Sequence, residues 1–586
     1  MTRPSLAAMA AAVLTPALAP VLAHAQGAAE PTAPAAAPSA AYVPAPEPTL
    51  PRTRVARPTR PAITAEDLMS RLYPFADDSM QGRDAGTPGN VKGTDYIAAE
   101  VRRLGLVPAG ENGTYFQTIP LKVRRIDPAS AVTVGTTTLA VGTDVVPVGL
   151  VSMQRQNVPV VYGGTLGDSS ALADSAAAGK LVVVRGTVPV VVRALQTGVT
   201  PYPTAAAVLV LGLDQIIPFL QRPMPFLDKG DAPKASTMLL GTAASTAKLF
   251  TTPVEQLAVG TAGAAPATLN VAVTAVPIEA PARNVVALLP GSDATLKSQY
   301  VAIGAHNDHV GLDERPVDHD SLRLFNHLVR PGGAEDGQKR ATPAQQAQVN
   351  AALARWRAKR PNTQRADSIF NGADDDGSGS MTTLEVAEYL ASLKGAQRPK
   401  RSVLFVWHVA EEKGLFGSEW YTDHPTVPRD SIVAQLNMDM IGRGGATDVT
   451  GLDKDGRVLR GGRGYLQLVG SRRLSTELGD LVEQVNRDRK HGFTFDYAMD
   501  ANGHPMNIYC RSDHYEYARY GIPVTFFTTG GHSDYHQVTD EAQYIDYPNM
   551  ARVGRLVSDI AVTIANRPAR LVVDKPKPDP KGSCQQ

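Results

Sequence analysis

The sequence predicts an α/β fold with a largely parallel central sheet in the second half of the chain, preceded by a β-rich region. Beyond about residue 283, short apolar runs typical of buried strands alternate with helical patterns. Between residues 125 and 280 the chain is instead rich in Val, Ala, Thr and Gly and is broken into short apolar runs. With 586 residues, 43% of them hydrophobic and 20% charged, the composition is that of a globular protein with more than one domain.

Four apolar segments are the predicted parallel strands of the central sheet, at 301–305, 403–409, 432–438 and 524–528. Helical periodicity lies between them, as in the stripe formed by Met381, Leu384, Ala387, Leu390 and Leu393. Two further helical patterns, at 68–75 and 96–104, flank a glycine-rich loop at 82–89. In the β-rich region the clearest strand candidates are 181–184, 188–192 and 207–211.

Both ends of the chain are expected to lie outside the folded domains. Residues 1–25 have the pattern of a cleavable signal peptide, with Arg3, an Ala/Leu-rich run and a small-x-small site ending at Ala25. Residues 26–62, dominated by Ala and Pro, are predicted to be an extended linker, and 573–586 a flexible tail. We therefore expect a secreted or periplasmic protein without a membrane span in the mature chain.

Charge and cysteine content exclude several classes of protein. Lys and Arg total 58 against 57 for Asp and Glu, so no overall field attracts nucleic acid. The two cysteines, Cys510 and Cys584, are too few for a disulfide scaffold or a cysteine-based zinc module. Cys510 is interpreted as a buried thiol, and its pairing with Cys584 stays open. Eleven of the 12 histidines follow residue 305, which directs attention to the α/β part.

Each predicted strand of the central sheet is followed by histidine or acidic residues. In open α/β sheets, ligands bind outside the carboxyl ends of the strands, so these side chains are expected to share one rim. A further acidic cluster precedes the Met381 helix. Imidazole and carboxylate without thiolate suit zinc and similar divalent ions. The groups concerned are His306-Asn307-Asp308-His309, Asp374-Asp375-Asp376, Glu411-Glu412, Asp439, and His532 with His536.

Two single-motif interpretations of these residues fail. If Gly377 were the glycine of a calcium-binding helix-loop-helix loop, the first and last ligand positions would be Gly372 and Thr383, where acids are required. The chain also lacks a His-Glu-x-x-His pair, which excludes the zincin class.

Taken together and in this order, the motifs resemble the co-catalytic di-zinc aminopeptidases of peptidase clan MH, family M28. The resemblance implies a zinc-peptidase sandwich with a mixed, largely parallel central sheet flanked by helices, formed by residues 63–124 and 281–572. Residues 125–280 would be an inserted β-rich protease-associated domain. The motifs are Gly304 to His309, Gly372 to Gly379, Glu411 to Ser418, Asn437 to Gly442, Arg511 to His514 with Gly521-Ile522-Pro523, and Asp534 to His536.

The resemblance also implies a role for each candidate site residue. His306 and Asp439 would hold one zinc ion, Glu412 and His536 the other, with Asp375 bridging the two. Glu411 would be the general base. Two residues would assist: Asp308 by orienting His306, and Tyr535 by donating a hydrogen bond to the tetrahedral intermediate. The remaining histidines of these motifs are interpreted as ordinary hydrogen-bonded residues: His309, His408, His514 and His532.

General chemistry agrees with this division of roles. Two ions about 3.5–4 Å apart share a hydroxide and polarise a carbonyl. Because successive side chains of a strand point to opposite faces, Glu411 and Glu412 serve one site only if the chain turns at the strand end. Asp374 and Asp376 fit a loop or a helix N-terminus as well as a functional role.

The chain departs from the family pattern in two places. Asn307 stands where an aromatic residue is common, so the shape of the pocket there is open. The interval between His306 and Asp375 is much longer than in the family. It contains a predicted helix at about 343–358, and we interpret the insertion as a lid or a wall on the substrate side.

The predicted function is that of an exported zinc-dependent metallopeptidase acting on peptides. Removal of N-terminal residues through a metal-bridging hydroxide is the leading interpretation. Carboxypeptidase or dipeptidase activity on the same scaffold is the main alternative. A non-catalytic binding ectodomain is weaker because Glu411 is retained, and a glutaminyl cyclase is weaker because its chemistry uses a single metal ion. The preferred terminal residue and the oligomeric state stay open.

Overall fold

A computed structural model describes most of the chain beyond residue 48. The predicted signal peptide, residues 26–48 of the predicted linker and the apolar run 188–192 lie outside the described residues. The described residues divide into two compact units, a first unit within Pro120–Ile278 and a second unit that combines 49–119 with Glu279–Gln586. The described residues are 49–148, 152–186, 201–212, 223–230, 238–242, 245, 248–337, 339–360 and 364–586.

The second unit is built on a mixed sheet of nine strands. Its inner strands are parallel neighbours in the order Ser402–His408, Tyr300–His306, Ile432–Met438 and Val524–Thr528. The predicted strands match these four to within one residue at each end, and the α/β class is confirmed. The outer strands are Val107–Pro108, Phe116–Thr118 and Arg283–Leu289 on one side and Tyr465–Val469 and Thr494–Asp496 on the other.

Amphipathic helices cover the sheet. In Gly377–Ser392, four residues of the predicted stripe, Met381, Leu384, Ala387 and Leu390, are fully buried in the main core with Ile303 and Phe405 of the sheet. The fifth, Leu393, follows the helix and is partly buried. Burying each large side chain of this kind contributes roughly 1.5–3 kcal/mol. The helices of the unit outside the insertion are Ala65–Phe75, Pro88–Arg103, Gly377–Ser392, Phe416–Asp423, Thr476–Asp488, His514–Ala518 and Tyr547–Asn566.

The long insertion between His306 and Asp375 is an ordered subdomain. Strands Leu312–Asp318 and Ala366–Ile369 pair antiparallel at its base. Between them lie the helices His319–Val329 and Pro343–Lys359 and a 3-10 turn, Gly333–Asp336. The second helix confirms the predicted one, and it begins with a capping box in which Thr342 and Gln345 bond reciprocally. A small core holds the two helices together, formed by Leu324, Ala352 and Trp356.

The first unit is β-rich, as predicted. Among its described residues, a mostly parallel sheet of five strands lies beside antiparallel sheets of four and three. Its assignment as a protease-associated domain stays a prediction. The strands described are Leu121–Ile126, Ala131–Val134, Thr137–Ala140, Val145–Pro147, Met153–Val158, Val160–Thr165, Leu181–Arg185, Ala207–Leu211, Met224–Leu227, Met238–Gly241, Ala267–Val271 and Val273–Pro277, and a short helix is formed by Asp174–Ala177.

The end of the chain packs onto the second unit. Cys584 forms a disulfide with Cys510, which settles the pairing that the sequence left open and corrects the interpretation of Cys510 as a free thiol. The side-chain amide of Gln586 donates to the carbonyl oxygen of Met499 at 2.6 Å. The last residues of the segment predicted to be flexible are thus bonded to the domain. In the part of the chain described, no helix combines the length and apolar character needed to cross a membrane.

Candidate metal centre

The carboxyl ends of the inner strands bring the predicted ligands to one buried rim. His306 is the last residue of its strand, and Nε2 of its imidazole lies 3.1 Å from Oδ1 of Asp375 and 3.7 Å from Oδ1 of Asp439. Oε2 of Glu411 is 4.0 Å from the same nitrogen. Three of the predicted groups thus surround one imidazole nitrogen.

A second set of side chains lies beside the first. Nε2 of His536 is 2.9 Å from Oδ2 of Asp375 and 3.0 Å from Oε2 of Glu412. Nδ1 of His309 lies 2.8 Å from Oε1 of Glu412. Asp375 therefore presents one carboxylate oxygen to His306 and the other to His536, which is the arrangement expected of a carboxylate shared by two cations.

The donor atoms of this rim fit a metal ion better than they fit one another. Nε2 of His306, Nδ1 of His309, Nε2 of His536 and Oε1 of Glu412 are buried and make no hydrogen bond of acceptable geometry. A buried polar atom without a partner costs about 1–3 kcal/mol, so several such atoms converging among uncompensated carboxylates favour a bound cation. Imidazole nitrogen and carboxylate oxygen are the donors that zinc accepts.

The electrostatics of the rim show a large excess of negative charge. Burial would raise the pKa of Glu412, but His536 and His309 outweigh it and lower that pKa to about 2. Burial, together with the charges of Asp439 and Glu412, raises the pKa of Glu411 well above its usual range. Burial disfavours the charged imidazole of His536, yet Glu412 and Asp375 raise its pKa to about 10. The carboxylates thus draw positive charge to this place.

Left-handed residues turn the chain so that the ligands face inward. Ala410, Met440 and His536 have φ values of 57°, 57° and 51°. Such a conformation in a residue other than glycine costs of order 1–3 kcal/mol and recurs at functional sites. Ala410 follows the strand Ser402–His408 directly before Glu411, so the turn inferred from the adjacent glutamates is present there.

The neighbours of Asp375 hold its loop in place, although Asp376 also lies close enough to His306 and Asp439 to offer a donor oxygen. Both oxygens of Asp376 accept main-chain N–H groups, one from His306 at 3.1 Å and the other from Gly379 at 2.8 Å, where Asp376 caps the helix Gly377–Ser392. Asp374 accepts from the N–H of Gly442 at 2.6 Å. These contacts support the interpretation of Asp374 and Asp376 as acids that stabilise a loop and a helix N-terminus.

Two residues that no sequence pattern selects also fix this loop. The carboxylate of Asp540 accepts the main-chain N–H groups of Asp374 and Asp375 at 2.9 and 3.1 Å. The buried guanidinium of Arg83 donates to the carbonyl oxygen of Gly372 at 2.8 Å and lies over the ring of Phe75. Burial lowers the pKa of Arg83 to about 10 and raises that of Asp540 to about 6.

The predicted assisting residues lie at the rim with specific contacts. Nδ1 of His306 is 3.1 Å from the main-chain oxygen of Asp308 and 3.7 Å from its carboxylate, which accepts the N–H of Glu411 at 3.2 Å. The ring of Tyr535 stacks on His536, and burial raises the pKa of this phenol well above its usual range, which keeps it a donor. Asn307 is fully buried and donates to the carbonyl of Trp407 at 3.0 Å, so it does not shape the pocket.

His309 is the functional candidate that the sequence interpretation missed. It is fully buried, and its ring meets that of His536 at a centroid distance of 5.4 Å. The available signal was its position three residues after His306, directly beyond a strand end. Among the other histidines, Nδ1 of His532 accepts the N–H of Asp534 at 3.2 Å, and Nε2 of His408 lies 3.0 Å from the hydroxyl of Tyr517, so each forms an ordinary hydrogen bond.

The insertion is fastened to the segment that carries His536. An ionic cluster forms this contact, and we call it the brace. Nε2 of His319 lies 3.1 Å from Oε2 of Glu541, and Nη1 of Arg365 lies 3.1 Å from Oδ2 of Asp367. Arg365 also pairs with Glu541. The brace is therefore formed by His319, Arg365, Asp367 and Glu541.

Fold and rim together define an α/β protein with a buried histidine–carboxylate centre whose donor atoms suit zinc. Residues 284–561 match the model of peptidase family M28. This match spans a little less than half of the chain and agrees with the resemblance that the motifs indicated.

Comparison with known proteins gives relatives that agree with this family. Leucine aminopeptidase 1 of Coccidioides posadasii is 30% identical over 203 residues, which are 33% of this chain and 47% of that protein. Leupeptin-inactivating enzyme 1 of Streptomyces exfoliatus is 38% identical over 98 residues, 15% of this chain and 22% of that protein. The chain thus spans about half the length, or less, of the curated relatives it matches.

Solved structures with a similar fold include two bacterial aminopeptidases. The aminopeptidase from Aneurinibacillus sp. strain AM-1 aligns with a TM-score of 0.46 and 17% identity, over 88% of this chain and 97% of that one. A zinc aminopeptidase from Bacillus subtilis aligns with a TM-score of 0.45 and 16% identity, over 86% and 95%.

Proposed function

We propose that this protein is an exported zinc-dependent aminopeptidase that releases N-terminal residues from peptides. The observation that carries the proposal is Asp375, whose two carboxylate oxygens face His306 and His536 at 3.1 and 2.9 Å. The match of residues 284–561 to the family model and the similarity to a leucine aminopeptidase support peptide-bond hydrolysis. Export is inferred from the N-terminal sequence pattern and agrees with the disulfide between Cys510 and Cys584.

The donor set divides into two groups that share Asp375. His306 and Asp439 would hold one zinc ion, and Glu412 and His536 the other, with His309 offering the second ion a further nitrogen. When bound, the two ions polarise the scissile carbonyl and lower the pKa of a water molecule. Ser512 steadies this arrangement because its hydroxyl donates to Oδ2 of Asp439 at 2.8 Å.

The remaining rim residues supply proton transfer and orientation. Glu411 is the general base that takes the proton of the attacking water and passes it to the leaving amine. Its main-chain N–H is fixed by the carboxylate of Asp308 at 3.2 Å, so Asp308 is a positioning residue for both Glu411 and His306. Tyr535, held by its stacking on His536, donates its hydroxyl to the oxyanion that develops on the substrate.

A carboxypeptidase or dipeptidase activity is the second candidate, and one observation favours it. The guanidinium of Arg511 lies at the rim, with Nη2 3.5 Å from the hydroxyl of Tyr535, and the side chain is 32% exposed. Guanidinium is the group that best recognises a carboxylate, so a substrate with a free C-terminus would find a partner here once the ion pair of Arg511 with Glu335 opens.

A substrate panel with metal analysis tests the proposal. Aminoacyl amides and peptides with free C-termini are compared before and after chelation and after zinc is restored. We expect hydrolysis of the aminoacyl amides that disappears with the chelator and returns with zinc. Activity that survives complete removal of metal would contradict the mechanism.

Two adjacent substitutions separate the base from the ligand. We expect Glu411→Gln to keep about two zinc ions per chain while kcat falls about 10²–10⁴-fold, the usual contribution of a general base. Glu412→Gln should instead lose zinc, because Glu412 faces His309 and His536. If Glu411→Gln retained normal turnover, or lost zinc as Glu412→Gln does, the assigned roles would be wrong.

A further inference from the structure

The 3-10 turn Gly333–Asp336 of the insertion rests directly on the catalytic tyrosine. The N–H of Ala334 donates to the carbonyl oxygen of Tyr535 at 3.1 Å. Gly333 has a φ of +61°, and a Cβ there would lie 2.6 Å from the same carbonyl oxygen and 2.8 Å from that of His532. Only glycine allows this close approach, so the turn is held at a fixed place beside the candidate metal centre.

The fixed turn brings one acidic side chain to the rim. Glu335 forms an ion pair with Arg511, and both side chains are about one third exposed, 35% and 32%. Arg511 is itself anchored between Cys510, which forms the disulfide, and Ser512, which bonds Asp439. Neither partner depends on a long flexible segment for its position.

Among the described residues, the guanidinium of Arg511 donates hydrogen bonds to Glu335 and to the hydroxyl of Tyr535. An unpaired guanidinium beside the oxyanion donor would attract the C-terminal carboxylate of a dipeptide, since the fork of donors matches a carboxylate. A guanidinium already paired with Glu335 is neutralised and must give up that pair before it binds another carboxylate.

We propose that Glu335 is a specificity-determining residue that withholds Arg511 from substrate carboxylates and so directs the enzyme away from dipeptides and toward longer or C-terminally blocked substrates. The inference rests on the proposed peptidase function. It also gives the insertion a defined role, that of a fixed wall which contributes one charge to the substrate side of the centre.

The test compares two ligands that differ in one group, Leu-Leu and Leu-Leu-amide. On the zinc-loaded enzyme, we expect Glu335→Gln to raise kcat/KM for Leu-Leu about tenfold relative to Leu-Leu-amide, because Arg511 becomes free to bind the terminal carboxylate. Glu335→Asp, which keeps the charge, should shift this ratio much less. Adding Arg511→Gln to Glu335→Gln should abolish the gain.

Binding in the Glu411→Gln background distinguishes failure of this inference from failure of the proposed function. Calorimetric titration should show the affinity for Leu-Leu rising about tenfold on Glu335→Gln, with the affinity for Leu-Leu-amide nearly unchanged. This rise in affinity would support the inference whether or not the parent chain hydrolyses the two compounds. A parent chain that hydrolysed neither compound would contradict the proposed function alone. If Glu335→Gln left the ratio of the affinities for Leu-Leu and Leu-Leu-amide unchanged in a folded protein, the inference would be overturned. An equal loss of affinity for both ligands would also overturn it, because Glu335 would then hold the substrate's ammonium group.

Discussion

The candidate metal centre and the brace are made of the same kinds of side chain but balance their charges differently. In the brace, Arg365 pairs with both Asp367 and Glu541, so a guanidinium compensates the carboxylates. In the metal centre, the ion-pair partners of the carboxylates are histidines among the residues that the structure describes. The carboxylates concerned are Asp375, Glu411, Glu412 and Asp439.

This difference teaches which histidine–carboxylate cluster requires a cation. A buried imidazole nitrogen without a well-aligned hydrogen bond occurs in both places, at His306 and at His319, so that feature alone does not identify a metal site. The decisive feature is the net charge of each cluster after its ion pairs are counted. The brace is close to neutral when His319 is protonated, whereas the metal centre keeps an excess of carboxylate that two divalent ions would balance.

Removing the shared carboxylate should give the largest effect. We expect Asp375→Asn to lower the zinc content well below two ions per chain and to reduce kcat/KM at least about 10³-fold, because one substitution weakens both metal positions. Zinc content by mass spectrometry of the desalted protein and turnover of an aminoacyl anilide are the measurements.

The corresponding change in the brace is the matched control. Asp367→Asn should keep full zinc content and kcat within about twofold, while the free energy of unfolding falls by about 1–2 kcal/mol as Arg365 loses a partner. Zinc loss in Asp367→Asn, or full zinc content in Asp375→Asn, would remove the distinction between the two clusters.

A phenol at each cluster gives a second, smaller comparison. We expect Tyr535→Phe to lower kcat about 10²-fold with zinc content unchanged, since the hydroxyl serves only the developing oxyanion. Tyr544→Phe is the control, because Tyr544 stacks on His319 in the brace region, and it should leave kcat unaltered. Equal effects of the two substitutions would show that the hydroxyl of Tyr535 has no special place in the reaction.

The sequence predicted the positions of strands and site residues wherever a local pattern of apolar residues determines them. The strands Tyr300–His306 and Ile432–Met438 were predictable because apolar runs of that length are buried on both faces. The places of His306 and Asp439 followed, since each residue lies where a parallel strand ends. For the same reason the turn between the strand Ser402–His408 and the adjacent glutamates could be anticipated.

Long-range contacts account for what the sequence did not reveal. Asp540 fixes the loop of Asp375 from 165 residues away, and no periodicity or motif links the two positions. His309 lies within a known motif, but which way its ring turns depends on packing against His536. The pairing of Glu335 with Arg511 depends on how the insertion docks, and an insertion absent from the family pattern carries no family signal.

The smallest expected effect is on the pH dependence of the free energy of unfolding. It tests whether His319 in the brace carries a proton. His319 faces Asp320 on its own helix, Glu541 and Tyr544 on the segment after His536, and Arg365 and Asp367 on the neighbouring strand. Burial lowers the pKa of His319, but the nearby carboxylates of Asp320 and Glu541 outweigh burial and raise that pKa above its usual value.

The sign of the pH effect follows from this raised pKa. A histidine whose pKa is higher in the folded state contributes its full stabilisation below the unfolded value of about 6.5, and loses it as the pH rises through the folded value. His319→Gln should therefore lower the free energy of unfolding by about 2 kcal/mol near pH 6 and by less near pH 9, measured by urea denaturation of the zinc-loaded protein. His504→Gln is the control for removing a buried imidazole, since His504 bonds main-chain groups of Leu452 and Met506 and not a carboxylate. A cost for His319→Gln that is flat, or larger at pH 9, would mean that the brace holds a neutral imidazole, and the charge balance that separates it from the metal centre would no longer stand.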